Sequence, residues 1–116
     1  MLVRLVDERV GEVAVVTIDG EVDASNARDV AERLRGALTN HSHALVVDLT
    51  ETTYLDSAGI NELFALETVL HQRRQALHLV VRPGSPIARV IAISGMERAI
   101  AIHPTREAAL EAATAR

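Results

Sequence analysis

The run Ala44-Leu45-Val46-Val47-Asp48-Leu49 is almost unbroken in apolar side chains. A strand with one wet face alternates apolar and polar residues. A run without that alternation must be covered on both faces, as the central strands of parallel sheets are. This requirement commits the chain to a layered α/β arrangement with helices packed on a sheet. The flanking sequence supplies the other elements. Leu2 to Asp7 and Val13 to Asp19 read as two strands joined by a short turn containing Gly11. Gly20-Glu21-Val22-Asp23 leaves the second strand, and a helix is expected to start near Asp23 or Ser25, both good N-caps. Asp29 and Glu32 lie early in that helix, and Ala27, Val30, Ala31, Leu34 and Leu38 form its apolar stripe. The polar stretch Thr39-Asn40-His41-Ser42-His43 is a loop into the central strand.

Beyond that strand, a helix from about Ser57 to Arg74 buries Ile60, Leu63, Phe64, Leu66 and Leu70. Leu77 to Val81 is the next strand. Arg82-Pro83-Gly84-Ser85-Pro86 is a turn that ends with Ser85 as N-cap and Pro86 at the first helical position. That helix stops at Ser94-Gly95, where Gly95 suits a left-handed C-terminal turn. A short strand at Ala99 to Ile102 and a last helix opened by Pro104-Thr105 complete the chain. The order β-β-α-β-α-β-α-β-α predicts one α/β domain over residues 1–116. Its mixed sheet should have about five strands, with about four helices packed on it. Right-handed crossovers make the second to fourth of these strands parallel, so functional loops are expected outside their carboxyl ends. Three loops qualify and should share one edge: the one with Glu21 and Asp23, the one with Asp56 and Ser57, and Arg82 to Ser85.

Composition narrows the function. A chain of 116 residues can bury roughly 65% of its unfolded surface. Tyr54 and Phe64 are its only aromatics, so the core is aliphatic and no base-stacking surface for single-stranded nucleic acid is available. The net charge is −4 and the arginines are scattered, so the basic patch that nucleic acid requires is missing. There is no cysteine, which suits a reducing cytoplasm. No signal-like segment opens the chain and no apolar stretch approaches membrane-spanning length, so membrane insertion is not expected.

Chemistry concentrates in Tyr54-Leu55-Asp56-Ser57-Ala58-Gly59-Ile60-Asn61. It places a serine hydroxyl at a helix N-terminus, where backbone N–H groups and the helix dipole favour a negative group. The plainer account makes Ser57 and Asp56 helix caps. A hydrolase elbow would need glycine on both sides of the serine. Gly59 is present, but Leu55 stands in the earlier position, and no histidine is recruited by the sequence as a base. His41-x-His43 lacks the carboxylate or thiol partners of a metal site, and a solvated loop accounts for it. Glu21, Asp23 and Asp56 are compatible with a Mg²⁺ pocket, although helix capping by Asp23 and Asp56 is the simpler reading. No glycine-rich phosphate cradle is present, and no cofactor is expected.

Taken together, Gly20-Glu21-Val22-Asp23, the apolar strand Leu45 to Leu49, Tyr54 to Ile60 and the late Ser94-Gly95-Met96 resemble the STAS domain, in particular the bacterial anti-anti-sigma factors. The likeness runs over essentially the full chain, with Asp-Ser-x-Gly its most specific element. It implies that Ser57 is the phosphoacceptor, with Glu21, Asp23, Ser25, Asp56, Ala58, Gly59 and Asn61 forming the phosphorylation loop and partner surface. It further implies a switch with no catalytic residues of its own. The unphosphorylated protein binds an anti-sigma factor with serine kinase activity and frees a sigma factor, phosphorylation releases it, and a protein phosphatase resets it. Ala58 stands where many of these proteins have a second hydroxyl, leaving one acceptor, and Asn61 stands where the family often has glycine. STAS domains also serve as non-catalytic subunits of lipid-transport ATPases and as parts of stress-signalling scaffolds. Those roles, and a serine enzyme, are the competing readings.

Overall fold

The sheet is built around β2 (Val13–Val22), which a computed structural model describing residues 2–115 places between three other strands. β1 (Val3–Val10) runs antiparallel to β2 through the Gly11-Glu12 hairpin turn. β3 (Ala44–Asp48) lies parallel to the first half of β2, pairing Val13 with Ala44 through Thr17 with Asp48. β4 (Thr52–Leu55) lies parallel to the last residues of β2, pairing Glu21 with Tyr54 and Val22 with Leu55. β3 and β4 therefore act as one broken strand along the same neighbour. β5 (Ala76–Val80) and β6 (Ala101–His103) extend the sheet in parallel beyond β3, giving six strands in the order β1-β2-β3-β5-β6 with β4 beside β2.

The unbroken apolar run is explained by covers on both faces. Leu45 and Val47, with Ala14, Val16, Leu77 and Leu79, join a large core beneath α1 (Ala27–Gly36), α2 (Ser57–Gln72) and α3 (Pro86–Ser94). Ala44 and Val46, with Val13, Val15 and Val80, face the other way against Ala109 and Ala113 of α4 (Arg106–Thr114). Alanines on α4 let its backbone approach the sheet closely, so a short helix suffices as a cover there.

Where β3 ends, the buried Asp48 divides its two carboxylate oxygens between two tasks. Oδ1 accepts from the Thr50 amide at 2.9 Å and the Thr50 hydroxyl at 2.7 Å, turning the chain. Oδ2 accepts from Arg106 Nε at 3.1 Å and Nη2 at 3.0 Å. Arg106 also donates to Glu8 at 2.8 Å and to the Thr17 hydroxyl at 2.6 Å, so one guanidinium at the start of α4 ties β1, β2 and β3 together.

The fold departs from the sequence expectation in several places. The strand Thr52–Leu55 stood unassigned in a loop; its four residues pair only with β2, and its own pattern is too short to announce a strand. The sheet thus has six strands, where about five were expected. β1 runs on to Val10 because the hairpin register holds it paired, and β2 runs on to Val22 because its last residues pair with β4. α2 ends at Gln72, and Arg74 leaves it with φ 58°. The last strand starts at Ala101, because a short 3-10 turn over Met96–Arg98 uses the preceding residues and buries Met96 and Ile100. α3 follows expectation: Ser85 accepts from the Ala88 amide, Pro86 is the first helical residue, and Gly95 ends the helix at φ 73°. β2, β3 and β5 are parallel as expected, and β6 joins them in the same sense.

Removing Arg106 strands a buried carboxylate, so Arg106→Ala should lower stability by ~2–3 kcal/mol. Arg106→Lys should recover only part of it, since an ammonium cannot span Asp48, Glu8 and Thr17 as a planar fork does. Urea unfolding followed by circular dichroism measures both; wild-type stability in Arg106→Ala would show that the network contributes nothing.

Candidate functional site

All the parallel strands point their carboxyl ends the same way, so the loops after β2, β4 and β5 share one edge of the sheet. The β2–β4 pairing brings the first two together. Val22 lies beside Leu55, and the Asp56 amide donates to the Val22 carbonyl at 3.4 Å, so the acidic turn and the start of α2 leave the sheet side by side. The Arg82–Ser85 turn faces the β3–β4 turn instead: Thr50, Thr52, Arg82 and Ser85 line one open cleft of about 340 Å³, which Glu21, Asp23, Asp56 and Ser57 do not line.

A bulge where β2 passes from Gly20 to Glu21 sets this alignment. Gly20 holds φ 119°, and a β-carbon there would collide with the Leu2 carbonyl, so this position requires glycine. The bulge is secured by the Gly20 amide donating to Glu51 and the Thr53 hydroxyl donating to the Gly20 carbonyl. Thr52, buried, donates its hydroxyl to the Ile18 carbonyl at 2.8 Å and anchors the same crossing.

Asp56 is the N-cap of α2, its Oδ1 accepting from the amides of Ala58 at 3.0 Å and Gly59 at 3.5 Å. Ser57 is the first helical residue and exposed, and its hydroxyl makes no hydrogen bond to any described residue. Of the two capping candidates, the aspartate caps and the serine is left presented to solvent. Gly59 is buried: a β-carbon there would meet Leu55 and, at 3.0 Å, Val22 Cγ1. Its absence of a side chain lets the first turn of α2 sit directly on the β2–β4 pair. Ala58 is half-buried and packs on the core, while Asn61, one turn beyond Ser57, is exposed.

The acidic turn differs from expectation. α1 starts at Ala27, and neither Asp23 nor Ser25 caps it; Asn26 occupies the N-cap position without a side-chain cap bond. Asp23 instead closes the turn on itself, its Oδ1 accepting from the Ser25 amide at 2.8 Å and the Ser25 hydroxyl at 2.5 Å. These bonds, the hydroxyl first and the amide second, hold the Asp23 carboxyl below its ordinary value of 3.8. Asn26, which the sequence reading passed over, locks the turn from the other side. Its Oδ1 accepts from the Asp23 amide at 3.0 Å, and its Nδ2 donates to the Glu21 carbonyl at 2.9 Å. The spacing Asp-x-Ser-Asn was the available signal. Glu21 and Asp23 are half-buried and Ser25 is exposed. Tyr54, 45% exposed beside this edge, was likewise passed over as a surface residue.

No histidine or carboxylate of the described residues hydrogen-bonds the Ser57 hydroxyl. Among the described residues, His78 bonds His103 at 2.9 Å, and His43 bonds Glu12 and the Ala113 carbonyl, well away from α2's first turn. The described residues contain no group of three or more histidine and acidic side chains that could hold a metal ion. No helix among them is long and apolar enough to cross a membrane.

The comparisons with known proteins agree with this arrangement. The STAS domain family model matches residues 4–109. The anti-sigma-F factor antagonist RsfB of Mycobacterium tuberculosis is 31% identical over 98 residues, covering 84% of this chain and 79% of RsfB. An anti-sigma factor antagonist from Mycobacterium paratuberculosis superposes with a TM-score of 0.87 at 25% identity, covering 98% of this chain and 96% of that one. SpoIIAA in its unphosphorylated form superposes with a TM-score of 0.67 at 17% identity over 94% of this chain and 96% of its own, a likeness of fold. The chain belongs to the STAS domain family.

The turn at Asp23 gives a titration with a definite sign. Its folded value is depressed, so its stabilising contribution is complete above the unfolded value near 3.8 and is lost as pH falls through the lower folded value. Carboxyl-carbon NMR should place the Asp23 midpoint below that of exposed aspartates, and Ser25→Ala should raise it. An unchanged midpoint in Ser25→Ala would show that the hydroxyl does not hold the charge.

Proposed function

We propose that this chain is an anti-sigma factor antagonist: a switch, without catalytic residues, whose binding to an anti-sigma factor with serine kinase activity is broken by phosphorylation of Ser57. The observation that carries this reading is the Ser57 hydroxyl, exposed and unpartnered on the first residue of a helix whose cap is already occupied by Asp56. A hydroxyl held on a rigid helix start, beside no base, is suited to be modified by another protein's active site rather than to act as a nucleophile. The similarity to RsfB supports the same reading from outside the site.

The electrostatics give the switch its direction. A phosphoserine adds about −1.5 to −2 charges. The Ala58 and Gly59 amides, which would ordinarily receive that charge at a helix N-terminus, already bond the Asp56 carboxylate. Glu21 and Asp23 lie along the same edge. The domain therefore gives the dianion little internal compensation, and the phosphate presents its charge outward. A partner surface fitted to a neutral hydroxyl must then desolvate a dianion. A penalty of about 3–4 kcal/mol, within reach of a charge mismatch in an interface, lowers affinity a few hundredfold. Asn61, exposed on the same stretch of α2, and Ser25 at the acidic turn complete the surface a partner would read. A protein phosphatase returns the serine to its binding form.

Tagged wild-type, Ser57→Ala and Ser57→Asp proteins, used as baits in host lysate with phosphate mapping of the wild type, test this. The expected result is capture of a kinase-like anti-sigma factor by Ser57→Ala, capture reduced at least a hundredfold for Ser57→Asp, and phosphate on Ser57. Equal capture of a transport ATPase by all three, with Ser57 unmodified, would instead make the domain a structural subunit of that complex.

A further inference from the structure

The two ends of the strand order β1-β2-β3-β5-β6 are edges of different character. β6 is three residues long, and shortness alone protects it from pairing. β1 is eight residues long, and among the described residues β2 is its only strand neighbour. Three large apolar side chains stand out on it or just before it: Leu2, 90% exposed, Val6, 40%, and Val10, 45%. All lie on the α4 face, because β1 residues opposite Val13, Val15 and Thr17 are Val10, Glu8 and Val6. That face reads Leu2-Arg4-Val6-Glu8-Val10, an alternation of apolar and charged groups that is complementary to itself on reversal about Val6. We infer that β1 is the docking edge for a second copy of this chain, paired antiparallel about a two-fold axis at Val6 to make a continuous sheet across the dimer.

Backbone geometry permits this pairing. The Glu21 amide donates to the Leu2 carbonyl, and the register continues in step to Val10 opposite Val13. In an antiparallel ladder every second residue turns its N–H and C=O to the same side. The even-numbered positions of β1 thus bond β2, and Val3, Leu5, Asp7 and Arg9 direct their backbone groups to the open edge. Pairing centred on Val6 sets Val3 opposite Arg9 and Leu5 opposite Asp7 as hydrogen-bonded pairs. Val6 then meets its own copy, Arg4 meets Glu8, and Leu2 meets Val10 in the non-hydrogen-bonded positions, where side chains approach most closely.

The neighbouring registers are worse. Centring on Leu5 sets Val6 against Arg4 and Leu2 against Glu8. Centring on Asp7 brings two Asp7 carboxylates face to face and Val6 against Glu8. Charges on an edge strand ordinarily keep copies apart; here their order admits one register and disfavours its neighbours. Arg4 already bonds Asp19 and Glu8 bonds Arg106, so the dimer would join these into an alternating row, Asp19, Arg4, then the copy's Glu8 and Arg106. Because β1 would pair antiparallel with its own copy, the two copies' carboxyl edges would lie at opposite ends of the joint sheet, leaving each Ser57 open to its own partner.

Sedimentation velocity on the full chain tests the proposal, with circular dichroism to confirm that each variant is folded. Wild type should sediment as a dimer. Val6→Lys, which sets two ammonium groups on the axis, should weaken association at least tenfold. Arg4→Glu and Glu8→Arg should each be monomeric alone, because each sets like charges opposite one another. An equimolar mixture of the two should dimerise, because each pair again unites opposite signs. A monomeric wild type, a dimer indifferent to Val6→Lys, or a mixture of folded variants that stays monomeric would each overturn it.

Discussion

The buried carboxylate of Asp48 holds the arrangement together. A strand covered on both faces cannot simply continue into a loop, because its last polar groups must be satisfied where water is scarce. Asp48 resolves this with one oxygen on Thr50 and the other on Arg106. The first interaction turns the chain out of β3 so that it can resume as β4 farther along β2. The second fastens α4 over the opposite face. Loss of the turn would move β4, and with it the register that places Asp56 and Ser57 beside Val22. The carboxylate is desolvated but fully paired, the condition under which a buried charge specifies a structure instead of weakening it.

From that break in the strand the site follows by packing. β4 gives α2 a platform, and Gly59 lets the helix settle onto Leu55 and Val22. Asp56 then captures the first free amides of the helix, and the serine next to it is presented to solvent. The division of labour between these adjacent residues matters more than either alone. A capping serine would have its hydroxyl committed to the backbone. Here the aspartate has taken that role, so the serine can change its chemical state without unmaking the helix. In the switch proposed above, the same carboxylate would deny a phosphate on Ser57 its natural internal partners, so the modification would be read at the surface. The acidic turn across the edge is stiffened by its own hydrogen bonds, so its charge is held in place and not on a mobile loop.

Much of the fold was legible from periodicity. Unbroken apolar runs gave the central strands, helical stripes gave α1 and α2, and Ser85-Pro86 with Gly95 bounded α3 closely, because caps and proline act locally. What escaped were features whose cause is remote in sequence. Thr52–Leu55 is a strand only because β2 continues past β3 and offers an edge. Asp23 and Ser25 are good capping residues by type, yet the bulge at Gly20 and the bonds from Asn26 displace the helix start to Ala27. Met96 follows the helix stop at Gly95 and Ile100 reads as strand, but the chain spends both on filling the core before β6 begins.

The α/β class, the aliphatic core and the Asp-Ser-x-Gly element at a helix start depend on side-chain type and spacing over a few residues, and so could be read along the chain. Packing of the whole chain decided that Asp56 and not Ser57 takes the cap, that Gly59 is a packing contact, and that Asp48 and Arg106 meet across 58 positions of chain. It also decided that β1 stays an open edge while β6 is cut short. Those outcomes depend on which strands become neighbours, and strand neighbours are chosen by the burial of the whole sheet, a quantity no local stretch of sequence contains.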